Sequence, residues 1–155
     1  MMQVEIAENV KGKLRKALKA AGSREIGGVM MGEQIAPGHF RVVDLSIDSQ
    51  TGGKAHFVRD SETHNEALNA FFHRTGHQYD RFNYLGEWHS HPRFSVTPSS
   101  QDVSSMTDLV EGERGIEFAV LLIVRLRWWR RLTLSCTLFC RNTNPSVVEV
   151  LESSS

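Results

Sequence analysis

His89 and His91 stand two residues apart in Tyr84-Leu85-Gly86-Glu87-Trp88-His89-Ser90-His91-Pro92. The residues before Pro92 predict a strand over 84–91, which the proline stops. Alternate strand residues point to one face, so the two imidazoles share a side. Such a pair can hold a metal, although core packing also produces it. Asp102 strengthens the metal reading. It falls in the first turn of a helix that opens at Pro98-Ser99-Ser100-Gln101-Asp102. A strand end, a short loop and a helix start can return Asp102 beside both histidines. Two imidazole nitrogens and one carboxylate oxygen suit Zn2+, and three protein ligands leave a fourth position open, as catalytic zinc requires. A structural site would rather use thiolates, and the two cysteines, Cys136 and Cys140, lie far along the chain.

Ser99 precedes Asp102 by three residues. It either caps the helix in a Ser-x-x-Asp capping box or faces the site, and the two roles are compatible. A metal-activated water also needs a base. Glu25 is the candidate, just ahead of Gly27-Gly28-Val29-Met30-Met31-Gly32, whose bare glycines would let a ligand come close. Spacing does not single Glu25 out, because it lies 64 positions before His89 (89 − 25). Glu87 shares the face of His89 and either contacts a histidine or serves packing, while Trp88 and Ser90 face the other way. His39, His56, His64, His73 and His77 follow no ligand spacing and read as surface histidines.

The elements that must position these groups can be read from apolar periodicity. A helix is expected over Glu8–Ala21, with Val10, Leu14, Ala17, Leu18 and Ala21 at helical spacing, a lysine-rich solvent face and Gly22 as its cap. Strands follow over 27–32 and 40–47, with a turn at Gly52-Gly53. Thr63-x-x-Glu66 reads as the capping box of a second helix that Gly76 closes. After the histidine strand and the Asp102 helix come strands over 118–128, 132–139 and 147–151. The first of these three starts fully apolar, as a central strand does. Trp129-Arg130-Arg131 is expected to turn the hairpin between the first two. This order predicts an α/β (α+β) domain, a mixed sheet flanked by helices. Arg125, Arg127, Arg130 and Arg131 surround Trp128-Trp129. They form either a patch for an acidic partner, a dimer contact, or charged gatekeeping of an aggregation-prone strand pair.

Composition bounds the function. The chain has 155 residues, 40% hydrophobic and 23% charged, which suits one globular domain. Eighteen basic and eighteen acidic residues give a formal net charge of 0, which argues against nucleic acid as the main partner. The longest apolar run, 118–124, is far short of the ~20 residues of a membrane span, so no membrane partner is expected. Met1-Met2-Gln3-Val4-Glu5 is not a signal peptide, and two cysteines four apart on a strand make no disulfide framework. A cytoplasmic domain is expected.

His89-Ser90-His91-Pro92, six residues, Ser99, two residues and Asp102 match the pattern H-x-H-x7-S-x2-D. With Glu25 ahead of its glycine-flanked strand, the chain resembles the JAMM (MPN+/JAB) zinc metalloprotease family, and residues 84–92 look most like its bacterial JAB branch. The resemblance spans about residues 4–151 of a single 1–155 domain and is carried mainly by the motif. It implies a JAMM/MPN, cytidine-deaminase-like fold. It implies one catalytic zinc per chain held by His89, His91 and Asp102, with Glu25 as general base and Ser99 stabilising the oxyanion. It also implies cleavage of an amide after the C-terminus of a ubiquitin-like protein. The setting would be bacterial conjugation systems with E1-like and E2-like proteins, several of them antiviral. The alternatives are a peptidase for a sulfur-carrier precursor or carrier–cysteine adduct, and a non-catalytic MPN scaffold. The chain lacks long insertions, which points to recognition of one modifier's tail. Such a tail binds extended, and a sheet edge near the site could receive it. Residues 93–97 and 52–59 are the two candidate flaps. The oligomeric state is open.

Overall fold

The computed structural model describes residues 2–48, 62–112 and 115–151. The order along the chain is β1 (Gln3–Ile6), α1 (Glu8–Ala21), β2 (Gly27–Ala36), β3 (His39–Leu45), α2 (Glu62–Arg74), β4 (Phe82–Ser90), α3 (Ser100–Gly112), β5 (Phe118–Arg127), β6 (Arg131–Cys140) and β7 (Ser146–Leu151). The strands close into a barrel in the order β1-β3-β2-β4-β5-β6-β7. Parallel pairing of β1 with β7 completes the ring, Gln3 opposite Glu149 and Glu5 opposite Leu151.

Strand alternation divides the side chains between two cores. Val120, Leu122 and Val124 of β5 point inward with Trp88 of β4 and Cys136 of β6. There they meet the apolar stripe of α1, Val10, Leu14, Leu18 and Ala21, so α1 fills the inside of the curved sheet. Ala119, Leu121 and Ile123 point outward and pack under Met106, Leu109 and Val110 of α3. Val29 and Met31 of β2 lie under Phe71 of α2 on the same outer side. Leu132, Leu134, Cys136 and Leu138 share the inner face, as their alternation predicts. Both cysteines are unpaired thiols.

Several boundaries differ from the sequence expectations. The strand β1 was not foreseen; Val4 and Ile6 are fully buried while Gln3 and Glu5 stay partly exposed, a two-residue alternation too short to stand out. β2 continues to Ala36, and α2 already includes Glu62, so Thr63 is not the residue before it. The β5–β6 turn is formed by Trp128, Trp129 and Arg130, one residue earlier than expected. The Gly52-Gly53 turn and His56 lie outside the described residues. His64 is a correction. It is 1% exposed rather than a surface residue, because α2 presses it onto Ser46, whose Oγ bonds its Nδ1. Among the described residues no helix is long and apolar enough to cross a membrane.

Candidate metal centre

β4 runs through the middle of the sheet, antiparallel to β2 and parallel to β5. His89 pairs with Gly27 on one side and Ile123 on the other, so it faces outward with Ile123. His91 follows the end of β4 and keeps the ladder through its N–H to Val124 O at 2.9 Å. Trp88 turns inward and donates its indole N–H to Ser46 O at 2.8 Å, which anchors the strand from behind. Ser90 Oγ accepts the Ile26 N–H at 3.0 Å, and the Ser90 N–H meets Ile26 O at 2.9 Å. These bonds lock the residues beside Glu25 onto the histidine strand. Because β4 is paired on both sides, it offers no open edge of the kind expected for receiving a tail.

Asp102 arrives from the first turn of α3. Ser99 Oγ accepts the Asp102 N–H at 3.1 Å, and Asp102 Oδ2 accepts the Ser99 N–H at 2.8 Å. This reciprocal capping box satisfies helix donors and fixes the carboxylate's direction. His89 Nε2 lies 3.2 Å from Asp102 Oδ1, His91 Nε2 lies 3.4 Å from Oδ2, and the two Nε2 atoms are 3.2 Å apart. Donors about 2.0–2.1 Å from a tetrahedral zinc stand about 3.3 Å from each other. The separations are of that size, with each histidine facing a different oxygen of the Asp102 carboxylate. All three residues are buried. The donor set is hard and borderline, as zinc prefers, so the residues fit the ion.

The ring of His91 is held on two sides. Its Nδ1 lies 2.7 Å from Ser95 O, so Nδ1 carries the proton and Nε2 presents its lone pair to the centre. Phe94 stacks on it with centroids 4.2 Å apart. Sequence reasoning missed Phe94 and Ser95, since only an aromatic two residues after a proline hinted at them. They also change the reading of residues 93–97. Ser135 Oγ donates to Val96 O at 2.6 Å, and Ser95 and Thr97 share a hydroxyl bond of 2.8 Å. These bonds tie the candidate flap to β6 and to the His91 ring. The alternative flap, 52–59, lies outside the described residues.

Burial pushes the Asp102 carboxyl up, but the hydrogen bond and field of His89, with the Ser99 contacts, outweigh it and hold it down at about 2. The group is therefore an anion at neutral pH, as a metal ligand must be.

Glu25 is half-buried and lies two residues before Gly27. Continuing the Gly27–His89 register puts it across from His91, on the outward face. It stands outside the cluster of converging donors, which comprises His89, His91 and Asp102. The sequence suggests that the glycines beside it leave room for a ligand, but the structure fills that space with neighbouring backbone. A Cβ on Gly27 would sit 2.6 Å from Trp88 O, and one on Gly28 1.9 Å from Ser46 O. Their bareness lets neighbouring backbone close in on the strand that follows Glu25. Glu87 is buried on the outward face, next to Leu121.

A family profile described as prokaryotic homologs of the JAB domain matches residues 7–134. The chain belongs to that family. Solved structures share its fold across nearly the whole length. A protein from Desulfitobacterium hafniense aligns at 16% identity with a TM-score of 0.66, covering 98% of this chain and 94% of that one. One from Salinibacter ruber aligns at 17% and 0.54, covering 96% and 91%. A JAB1/MPN domain protein from Archaeoglobus fulgidus aligns at 17% and 0.50, covering 97% of each. No curated protein matches the sequence. The mixed α/β fold of this JAB domain is thus the expected one, and its three converging ligands fit a zinc site of the JAMM type.

Proposed function

We propose that this JAB domain is a zinc-dependent peptidase or isopeptidase that hydrolyses the amide bond after the C-terminus of a ubiquitin-like protein. The observation that carries the reading is the convergence of His89, His91 and Asp102 at tetrahedral-edge spacing. Extending the β2–β4 register two residues past Gly27 and His89 brings an acid, Glu25, opposite the second histidine. A zinc ion held there supplies Lewis acidity, which makes water acidic near neutral pH and polarises a carbonyl.

The chain's own groups account for the rest. His91 is kept in one tautomer by Ser95 O, and Asp102 stays ionised. Glu25, half-buried, takes the proton from the attacking water and passes it to the departing amine. The Ser99 hydroxyl accepts the helix N–H with its oxygen, so its own proton remains to donate to the developing oxyanion. The thiols of Cys136 and Cys140 lie on β6, away from this chemistry, and no acyl-enzyme forms. The choice of a ubiquitin-like tail rests on the family likeness, as does the setting in a bacterial conjugation system with E1-like and E2-like proteins and a role in antiviral defence.

The test is cleavage read by intact mass, using a ubiquitin-like protein extended past its C-terminal glycine. The expected result is a cut at that glycine, about one zinc per chain, and loss of the cut in Glu25→Ala with zinc retained. A fully active Glu25→Ala protein overturns the mechanism. Zinc-loaded protein that cuts a carrier–cysteine adduct and not the fusion moves the substrate to a sulfur carrier. Failure to bind zinc leaves a scaffold domain.

A further inference from the structure

The β5–β6 turn carries the most exposed aromatic surface described. Trp128 and Trp129 are 69% and 67% exposed. Both also adopt the left-handed backbone, with φ of 51° and 63°, and the Arg130 N–H closes the turn on Arg127 O at 3.2 Å. Two positive φ values are the pattern of a type I′ turn, which Asn-Gly normally supplies. Tryptophan here pays twice, once in backbone strain and once in exposed apolar area. Gatekeeping explains neighbouring arginines, but it does not explain these rings.

The turn is also held in place. Arg15 of α1 donates its Nε–H to Arg130 O at 3.1 Å. Beneath the rings lies a groove of about 480 Å³, lined by the two tryptophans with Leu18, Leu126, Pro92 and Arg93 among others, and by no acid. Pro92 and Arg93 directly follow His91, and Gly22 and Ser23 of the same lining precede Glu25 by two or three residues. The groove therefore borders the chain segments that lead into Glu25 and out of His91, on the side of the sheet where Leu18 and Leu126 pack. Arg127 stacks over Trp128 with its guanidinium 5.1 Å from the ring centre, and Arg130 and Arg131 are exposed alongside.

We propose that this tip and groove form an exosite that grips an acidic, leucine- or phenylalanine-bearing stretch of the protein substrate next to the bond that is cut. Calling the occupant a substrate rests on the peptidase reading above; the binding itself does not. Charge complementarity selects an acidic chain, and the apolar rings supply the buried anchor that such interfaces use. A second copy of this chain is disfavoured, because a two-fold contact would set the same arginines against one another.

Two experiments test it. Only Trp88 remains besides the two tip tryptophans, and Trp88 is fully buried. Tryptophan emission therefore reports on the tip. Glu25→Ala protein is titrated with a synthetic peptide of alternating Glu and Leu. A saturable blue shift is expected, weakened about tenfold or more in 1 M salt or in Arg127→Ala/Arg130→Ala. No saturable shift overturns the proposal. So does an equal shift with a Lys/Leu peptide, or a stronger one with oligouridylate or phosphatidylglycerol vesicles. The second experiment uses Trp128→Asn/Trp129→Gly, which suits the turn and keeps the fold. For a ubiquitin-like fusion carrying the Glu/Leu stretch after the cut glycine, KM should rise about tenfold or more with kcat unchanged. Turnover of a short peptide amide should not change. An unchanged KM overturns the exosite while leaving the peptidase standing. An inactive enzyme that still binds the acidic peptide overturns the peptidase reading and leaves the acidic docking site.

Discussion

Ser99 holds one end of a helix and one side of the metal centre. The two roles separate by substitution. Ser99→Ala loses the cap and should cost about 1 kcal/mol, lowering Tm by about 2–4 °C in calorimetry. Ser99→Asn keeps a capping oxygen and should restore Tm, yet remain slow in the cleavage assay if the hydroxyl serves the oxyanion. His64 makes a second prediction. Burial holds its imidazole below the usual 6.5, against the opposing pull of Asp48, whose Oδ2 is 4.0 Å away. The folded chain thus binds this proton less readily than the unfolded one. Stability is complete above pH 6.5 and falls as pH drops through the folded value. Urea midpoints at pH 7.5 and 5.5 should differ in the parent and converge in His64→Asn. The fate of His64 was not legible in sequence, because its burial comes from α2 docking on Ser46, 18 residues away. The residues of the candidate metal cluster were legible because each half of the set is local. A strand shows His-x-His on one face, and a helix start shows Ser-x-x-Asp.

Elements meet here through bare backbone. Gly28 lets the chain at Ser46 cross β2, while Ser46 Oγ accepts the Val29 N–H at 2.9 Å. Gly86, at φ 155°, lets β4 lie against β5, where a Cβ would stand 1.9 Å from Val120 O. Neither obstacle is a side chain that can swing away. Gly28→Ala should therefore cost about 3 kcal/mol or more, as overpacking against fixed atoms does, and chemical denaturation would measure it. A cost under about 1 kcal/mol would mean that this crossing yields. The glycines could be seen in the sequence, but their reason could not, since the crowding atoms come from chain far along. Glu25 illustrates the same gap. Nothing near it in sequence points to His91; the antiparallel register of β2 with β4, extended two residues past Gly27, does.

At the scale of the whole molecule, closure depends on the shortest strand. β1 has four residues, yet it joins β3 to β7 and inserts Val4 and Ile6 into the inner core. Helix and strand periodicities identified most elements, but the pairing of Gln3 with Glu149 spans almost the whole chain and leaves no local trace. Removing residues 1–6 should delete two buried side chains, worth about 1.5–3 kcal/mol each, and expose the facing edges of β3 and β7. Loss of cooperative unfolding and growth of aggregates in light scattering are expected. A truncated chain with the parent's Tm would show that the ring tolerates a gap. The ring also has a polarity. β1, β3, β4, β5 and β7 all run the same way. The rim where β4 ends in its histidines is therefore the rim where β7 ends at Leu151, and β1 begins at the opposite one. An affinity tag or tether placed before Gln3 will hang clear of the metal centre. The same tether after Leu151 will emerge on the rim that carries the histidines, three strands round the ring from β4.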